Sequence, residues 1–175
     1  MSKVILYVAT SLDGFIADKD GGVDWLPPPV DDPTDVVGFK TLMNRISTIV
    51  MGRRSYDQIL GFGEWEWKDK QTYVFTSQPL STTSSYIVAI QDNPRVFMDK
   101  LKSSYANSDV WLLGGAKLIK SFAGEKLIDE CIITVIPVNL KEGIKLELTY
   151  DDFTFISEKS CMEGIVQKTY WRKEK

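Results

Sequence analysis

Histidine is missing from this sequence of 175 residues. Histidine is the usual base beside a catalytic serine or cysteine and a common zinc ligand, so its absence excludes Ser-His-Asp and Cys-His systems and nearly all zinc enzymes. The two cysteines, Cys131 and Cys161, have no metal-ligand spacing, and we expect free thiols in a reducing cytoplasm. Any catalysis must therefore use carboxylates, hydroxyl groups, backbone donors or a bound cofactor, and we expect no metal site.

Long apolar runs and an excess of positive charge are also missing. No apolar run approaches the roughly 20 residues that span a bilayer, and the apolar stretch at residues 4–9 is too short for a signal peptide. The net charge of −3 gives a nucleic-acid partner no electrostatic support. We therefore expect a cytoplasmic protein with a small-molecule partner, without nucleic acid or membrane. The length and the 43% of hydrophobic residues predict one domain over residues 1–175.

Apolar and amphipathic segments alternate along the chain. Short apolar runs predict strands at residues 3–10, 48–52, 72–76, 86–90, 109–113 and 130–138. Helical periodicity separates several of them, and alternating residues in 153–159 and 164–173 predict a closing antiparallel hairpin. We expect residues 61–70, with their two tryptophans, to form a surface loop. This order predicts an α/β fold with a mostly parallel sheet, whose ligand lies beyond the carboxyl ends of the strands.

The strongest candidate site begins at Gly52, directly after the second predicted strand. Arg53, Arg54 and Ser55 follow it and lead into a helical segment. Helix N-termini attract anions because their first amides are unpaired, and arginine adds bidentate donors that suit phosphate. The pattern is equally consistent with a surface turn that carries solvated charges.

Two further strand ends carry residues that suit phosphate. Gly114 and Gly115 join a buried strand directly to a helix, where small residues let a pyrophosphate approach the backbone. Thr76 and Ser77 end the strand at 72–76 and offer hydroxyl groups. The alternatives are a tight strand-to-helix turn at the glycines and a simple hydroxyl-rich turn at Thr76.

An apolar loop and an acidic residue suggest where a ring could bind. Phe15, Ile16 and Ala17 follow a turn at Asp13-Gly14 and could form the floor for a flat ring. A helix is predicted to start near residues 31–34, which puts Asp35 one turn before Phe39 on the same face. Asp35 is either a solvated, dipole-complementing group or a pocket carboxylate.

Four separated stretches resemble one family in order and spacing. Residues 49–56 (IVMGRRSY) resemble the Met-Gly-Arg motif of dihydrofolate reductases. Residues 74–79 (VFTSQP) and 113–117 (LGGAK) are similar to the segments of that fold that hold the 2′-phosphate and the pyrophosphate of NADPH. Residues 11–17 (SLDGFIA) resemble most the opening of the riboflavin-biosynthesis reductase domain, the RibD C-terminal branch of this superfamily.

The resemblance implies a dihydrofolate reductase-like, three-layer α/β/α fold and a reductase that uses NADPH. The adenosine phosphates would contact residues 53–55 and 76–77, the pyrophosphate residues 114–117, and the nicotinamide Ala9 and Ile16. The cofactor-binding residues expected from the matched motifs are Ala9, Ile16, Gly52, Arg53, Arg54, Ser55, Thr76, Ser77, Gln78, Leu113, Gly114, Gly115, Ala116, Lys117 and Leu118.

For the chemistry, residues 35–40 (DVVGFK) resemble the segment that carries the single acid of dihydrofolate reductases. Asp35 would then assist protonation of the reduced bond, with a pKa raised by burial, and Thr134 would support it. Trp25, Asp35 and Phe39 are the candidate substrate-binding residues. The implied reaction is hydride transfer to a flat heterocycle, as in a 5-amino-6-(5-phosphoribosylamino)uracil reductase.

Two other functions remain open alongside this one. They are a true dihydrofolate reductase and a non-catalytic protein that binds NADPH or a pterin. No clear match is found to the arginine that binds the glutamate tail of folate, and the deaminase domain fused to many riboflavin reductases is absent from this sequence. Relatives of the riboflavin type form dimers through a sheet edge, so the hairpin at residues 153–173 is expected to support a homodimer.

Overall fold

In the computed structural model, which describes residues 2–28, 35–82, 84–104 and 108–174, one large sheet organises the chain. Its parallel strands are β1 (Val4–Ser11), β3 (Ile46–Gly52), β4 (Gln71–Phe75), β5 (Ile87–Ile90), β6 (Asp109–Gly114) and β7 (Glu130–Ile136). Two antiparallel strands follow, β9 (Phe153–Ser160) and β10 (Val166–Arg172). The spatial order is β5-β4-β3-β6-β1-β7-β10-β9.

A second, small sheet lies beyond the end of β1. It pairs β2 (Phe15–Ala17) with β8 (Ile144–Lys145) in antiparallel fashion. The prediction of a mostly parallel sheet that ends in an antiparallel hairpin is confirmed.

Four helices connect the strands: α1 (Phe39–Arg45), α2 (Arg53–Phe62), α3 (Pro94–Ser104) and α4 (Ala116–Gly124). Buried residues of α1 and α2, Leu42 and Tyr56, pack on one face of the sheet with Ile5 of β1. Buried residues of α3 and α4 pack on the opposite face with Val4 and Leu6. Alternate residues of a strand point to opposite faces, so β1 contributes to both cores and lies between two helical layers. Across the described ranges, no helix combines the length and the apolar character that crossing a membrane requires.

The amino end of the sheet is closed by charged side chains. Arg45, the last residue of α1, contacts Asp109 at 3.0 Å and Glu130 at 2.9 Å, at the starts of β6 and β7. Glu130 is buried, so its charge needs this partner. The opposite, carboxyl end of the sheet is therefore the edge at which loops remain available for a ligand.

One expectation about local structure is wrong, and a second holds only in part. Asp35 was expected on a helix face with Phe39, but the helix begins at Phe39, after Gly38 with φ of 71°; the expected start near residues 31–34 lies outside the described part of the chain. The segment at residues 61–70 is mostly exposed, as expected, but Trp65 is only 7% exposed and packs in the core beside Tyr56. Helical and loop patterns between strands are therefore less informative here than the strand patterns.

Candidate functional site

Three predicted corners meet at the carboxyl edge of the sheet. The strands β4, β3 and β6 are neighbours, with Gly52 paired to Phe75 and Met51 paired to Gly114. The turns that follow these strands therefore leave the sheet side by side and at nearly the same level. We call the starts of α2 and α4, together with the turn at residues 76–79, the carboxyl-edge corner.

Within this corner, the starts of the two helices touch. A Cβ atom placed on Gly52 would lie 3.7 Å from the Gly115 nitrogen, and one placed on Gly115 would lie 3.4 Å from Oγ of Ser55. The peptide bond between Gly114 and Gly115 is cis. Because the first amides of a helix lack partners within it and its dipole is positive at that end, two adjacent helix starts favour an anion.

The two arginines of the corner have different surroundings. Nε of Arg53 donates to both carboxylate oxygens of Asp57, at 2.8 and 2.9 Å, and Nη1 donates to the Pro79 carbonyl at 3.0 Å. Arg54 is exposed and has no hydrogen bond or ion pair with the described residues. One guanidinium is thus held in place, whereas the other is free to meet a ligand.

The turn after β4 presents its polar groups to solvent. Oγ1 of Thr76 accepts a hydrogen bond from the Gln78 amide at 3.0 Å, which closes the turn. Ser77 and Gln78 are exposed. The contact between Arg53 and Pro79 ties this turn to the start of α2, so Ser77 is brought to the same corner as Arg53.

The remaining predicted cofactor residues are divided between the corner and the core. Ala116 and the exposed Lys117 open α4, and Leu113 is partly buried at the end of β6. Leu118 packs its side chain into the core, and its amide donates to the Gly115 carbonyl at 3.0 Å. Residues 113–117 therefore lie at the corner, but Leu118 directs its side chain away from it.

Ala9 and Ile16 lie where the chain leaves β1. Ala9 is partly buried and pairs with Thr134 of β7, and Ile16 is the middle residue of β2. The turn between them is built by Ser11 and Asp13: the Ser11 hydroxyl donates to Asp13 at 2.6 Å and accepts from the Phe15 amide at 3.0 Å. This network holds the apolar β2 segment next to the carboxyl end of β1.

Thr134 belongs to a polar cluster on the sheet that includes Tyr7 and Gln167. Nε2 of Gln167 donates to Oγ1 of Thr134 at 3.0 Å, and it also donates to the Val37 carbonyl at 2.8 Å. The Tyr7 hydroxyl donates to the same carbonyl at 2.9 Å. Burial raises the pKa of Tyr7 to about 12, although hydrogen bonds with Thr134 and Gln167 act in the opposite direction. We refer to Tyr7, Thr134 and Gln167 as the polar cluster.

The sequence predicted only Thr134 of this cluster. Register explains why the three side chains converge, because Ala9, Thr134 and Gln167 are aligned across β1, β7 and β10, and Tyr7 lies two residues before Ala9. Tyr7 and Gln167 stand alone in the sequence within ordinary strand patterns. Only the pairing of strands distant in the chain could have identified them.

Asp35 differs from the buried acid that was expected. Its carboxylate is partly exposed and accepts hydrogen bonds from the Lys40 amide at 2.8 Å and from the amide and hydroxyl of Thr41, both at 2.7 Å. Desolvation raises the pKa of Asp35, but the hydrogen bonds from Thr41 and Lys40 outweigh it and hold the pKa below its ordinary value. The expectation of a raised pKa is wrong, because the carboxylate caps α1.

The two aromatic residues predicted to bind the substrate, Phe39 and Trp25, have different surroundings. Phe39 begins α1 and packs against Tyr7 and Trp111, with ring centroids 6.0 and 5.7 Å away. Trp25 is partly buried, and within the described chain its buried Nε1 has no hydrogen-bond partner. Phe39 therefore lies beside the polar cluster, whereas Trp25 has no hydrogen bond or ring contact with that cluster among the described residues.

Phe39 is one member of a longer aromatic row that sequence reasoning missed. The row continues from Trp111 through Trp67 and Trp65 to Tyr56, with neighbouring centroids 5.2 to 5.6 Å apart. Trp111 also donates its indole N–H to the Tyr7 carbonyl at 3.1 Å. The row belongs to the core on one face of the sheet, and its members Phe39 and Trp111 give Tyr7 of the polar cluster apolar neighbours.

A separate cavity of about 560 Å³ lies away from both features. It is enclosed by the end of α4, the segment at residues 145–149 and the start of β9. The corner, in contrast, is an open edge formed by backbone and exposed side chains. Because the arginines, hydroxyl groups and helix starts meet at the corner, we place the candidate site there and not in this cavity.

A family model and two curated relatives match most of this chain. The RibD C-terminal domain model matches residues 2–142. The chain is 39% identical over 150 residues to the uncharacterized protein YwjB of Bacillus subtilis (strain 168), covering 84% of each chain. It is 34% identical to the uncharacterized protein YyaP of the same organism, covering 96% of this chain and 94% of YyaP.

Solved structures agree with this result. A putative riboflavin biosynthesis protein from Shewanella sp. PV-4 superposes with a TM-score of 0.84 and 31% identity, covering 98% of this chain and 99% of that one. A dihydrofolate reductase from Enterococcus faecalis, solved with NADP(H) and RAB-propyl, has a TM-score of 0.70 at 18% identity, covering 98% and 97%. The second likeness confirms the dihydrofolate reductase-like fold. On the family match and the first structural likeness, the chain belongs to the reductase-like RibD C-terminal domain family.

Proposed function

We propose that this protein is an NADPH-dependent reductase that transfers a hydride to a small, flat heterocycle, as riboflavin-type reductases do. The carboxyl-edge corner carries the proposal: two helix starts touch there beside a turn with exposed hydroxyl groups. Arg53 and Arg54 add two positive charges. A dinucleotide with an extra phosphate is the ligand class that needs such a concentration of anion donors.

The residues present suit this cofactor. Gly52 and Gly115 have no side chains at the place where the two helix starts meet, so neither residue shields the backbone amides there from a pyrophosphate. Arg54 and Ser77 are exposed and would bind the 2′-phosphate together with Arg53. The partly buried Ala9 and Ile16 would flank the nicotinamide. When bound, NADPH supplies the hydride, and the protein supplies orientation and polar contacts.

On the acceptor side, the hydroxyl group of Thr134 is the polar-cluster group that lies beside Ala9, because Tyr7 and Gln167 already donate to the Val37 carbonyl and to Thr134. Thr134 pairs in register with Ala9, so a ring stacked beside Ala9 would lie next to the Thr134 hydroxyl. The proton-donor role of Asp35 and the supporting role of Thr134 stay predictions. To donate a proton at the ring, Asp35 must leave its contacts with Lys40 and Thr41, because these contacts hold it ionised at neutral pH.

A cofactor titration followed by a substrate screen tests this proposal. NADPH fluorescence should report saturable binding, with NADH binding more weakly. NADPH oxidation should then be followed with dihydrofolate, a ribosylated aminopyrimidine and small quinones. Oxidation with the aminopyrimidine supports the proposal, whereas absence of NADPH binding contradicts it.

The same screen separates the two alternatives. Turnover of dihydrofolate, with submicromolar binding of trimethoprim or methotrexate, would identify a dihydrofolate reductase. The partly exposed, helix-capping Asp35 argues against that outcome, because pterin binding needs an acid in the pocket. Tight NADPH binding without oxidation of any acceptor would identify a non-catalytic binding protein.

We also propose that the protein forms a homodimer through β9. This strand ends the sheet, and its seven residues after Phe153 are exposed. Phe155 is 54% exposed and Trp171 of the neighbouring β10 is 48% exposed, so the edge presents apolar surface as well as open backbone groups. An edge of this kind can pair with the same edge of a second copy.

Light scattering after gel filtration measures this association. We expect the mass of a dimer for the unaltered chain and of a monomer for Phe155→Glu, because the charge would be buried in the contact. Val88→Glu, a similar exposed apolar position on the opposite edge strand β5, is the control. A monomeric unaltered chain would contradict the proposal.

A further inference from the structure

Arg53 is held by acceptors from two separate parts of the chain. Asp57 lies one helical turn after it in α2, and both carboxylate oxygens accept from Nε. Pro79 belongs to the turn after β4, and its carbonyl accepts from Nη1. The guanidinium group therefore joins the start of α2 to the turn that carries Ser77. This arrangement fixes where its positive charge lies within the carboxyl-edge corner.

These contacts leave most of the donors of Arg53 available. A guanidinium group has five N–H donors, and one on Nε and one on Nη1 are engaged here. The other three are on Nη1 and Nη2, at the end of the group. A phosphate that binds this end has the guanidinium charge between itself and the Asp57 carboxylate. Asp57 and the phosphate can thus bind the same arginine at different edges.

Arg54 provides the contrast. It is exposed and has no partner among the described residues, so it must lose rotamer freedom when it binds an anion. Arg53 has already lost that freedom to Asp57 and Pro79. A group that is ordered before binding contributes more of its interaction to affinity. Asp57, although it is acidic, is therefore expected to help the phosphate site.

We propose that Asp57 is a positioning residue that holds Arg53 for the 2′-phosphate and so sets the preference for NADPH over NADH. The inference rests on the proposed function and assigns a role to an acidic residue of the same site. The opposite effect is physically possible in principle, because a carboxylate repels a phosphate. Positioning of Arg53 predicts that loss of the Asp57 carboxylate weakens NADPH binding, whereas repulsion predicts that it strengthens NADPH binding. The dissociation constant of NADPH therefore distinguishes the two effects.

The experiment measures the dissociation constants of NADPH and NADH for the full chain by cofactor fluorescence. Asp57→Ala should weaken NADPH binding by roughly fivefold, because Arg53 loses its ordered position, and should leave NADH almost unchanged. Asp57→Asn keeps a neutral oxygen that can accept from Nε, so it should retain most of the preference. Asp57 is 52% exposed at its side chain, so both variants should fold.

A matched control is available outside the corner. Glu64 and Lys68 form a second exposed pair with the same spacing of four residues, 3.2 Å apart. Glu64→Ala removes the same negative charge from the chain as Asp57→Ala does. It should change neither dissociation constant, which separates the local effect on Arg53 from the effect of net charge.

Three results would overturn the proposal. Tighter NADPH binding by Asp57→Ala would show that the carboxylate competes with the phosphate. An equal loss of affinity for NADPH and NADH would show that Asp57 has a general structural role. Unchanged dissociation constants would show that Asp57 has no role in binding either cofactor. Failure of the proposed function looks different: either the unaltered chain binds neither cofactor, or it binds NADPH but oxidises it with no acceptor in the substrate screen, and the second result leaves these dissociation constants unaffected.

Discussion

The carboxyl-edge corner and the polar cluster are built in different ways. Each part of the corner is a short continuous segment that directly follows a strand: Gly52–Ser55, 76–79 or 114–117. The polar cluster instead takes single residues from β1, β7 and β10 and closes on the Val37 carbonyl. Comparing the two teaches that local motifs identify a site assembled from whole turns, but not one assembled from isolated side chains.

The largest expected effect lies in the corner. Arg53→Ala combined with Arg54→Ala should raise the dissociation constant of NADPH by roughly 100-fold, since a hydrogen bond to a charged group contributes about 1.5–3 kcal/mol. NADH lacks the 2′-phosphate, so its binding should change much less. The ratio of the two dissociation constants, obtained from fluorescence titrations, is the measurement. It tests whether the corner recognises the phosphate that distinguishes the two cofactors.

Lys68→Ala is a suitable control for the loss of positive charge, because Lys68 lies beyond the end of α2 in an exposed ion pair. It should leave the ratio unaltered. Equal weakening of NADPH and NADH by the double variant would contradict the 2′-phosphate assignment. The corner would then be a general anion site and would not distinguish NADPH from NADH.

An intermediate effect is expected at Asp35, on the acceptor side. Asp35→Ala removes the carboxylate that accepts from Lys40 and Thr41, and it should lower the free energy of unfolding by about 1 kcal/mol. The pKa of Asp35 is below its ordinary value in the folded protein. Its stabilising contribution is therefore present above the pKa of the unfolded chain and is lost as the pH falls through the folded pKa. Urea unfolding at neutral and acidic pH measures this change.

Asp35→Asn separates the capping role from the acid role. Asparagine keeps one acceptor oxygen in place of the two that Lys40 and Thr41 use, so this variant should lose less stability than Asp35→Ala while losing the titratable group. If Asp35 supplies the proton, turnover should fall much more than NADPH affinity. Unchanged turnover would refute the acid role and leave only the cap on α1.

The smallest effect near neutral pH is expected at Tyr7. Tyr7→Phe removes one hydrogen bond, but the Val37 carbonyl keeps its contact with Gln167 at 2.8 Å. The pKa of Tyr7 is raised from 10.0 to about 12, so its contribution is fully present below the ordinary value and is lost as the pH rises through the folded pKa. The stability difference between the two proteins should therefore narrow at alkaline pH.

Unfolding curves at neutral pH and near pH 11 measure this difference, with phenolate absorbance as a second readout. Cys131, whose pKa burial also raises to about 12, is present in both proteins and does not affect the comparison. Because the chain has seven tyrosines, the readout is the absorbance difference between the unaltered chain and Tyr7→Phe, and a difference that titrates at the ordinary pKa of a phenol would contradict the buried placement of Tyr7. Such a result would mean that the polar cluster is open to water.

The sequence predictions are accurate for features built from continuous segments and less accurate for features that depend on contacts between separate segments. The strands were recognised because short apolar runs, bounded by glycine and polar turns, are local signals. The start signal at residues 31–34 and the apolar period after Asp35 predict a helix that includes Asp35, but Gly38 adopts φ of 71° and the helix starts only at Phe39. Trp65 was assigned to a surface loop because its neighbours are polar, although its ring is buried beside Tyr56.

The sequence alone determined the order of strands and helices, the three glycine- or hydroxyl-bearing strand ends and the positive charges at one of them. Only the tertiary structure decided that these ends are neighbours, that Arg53 also donates to the Pro79 carbonyl, and that Tyr7 and Gln167 share the Val37 carbonyl while Gln167 also donates to Thr134. The physical reason is range: strand and turn signals come from residues adjacent in the chain, whereas register and these hydrogen bonds join residues that are from 26 to more than a hundred positions apart.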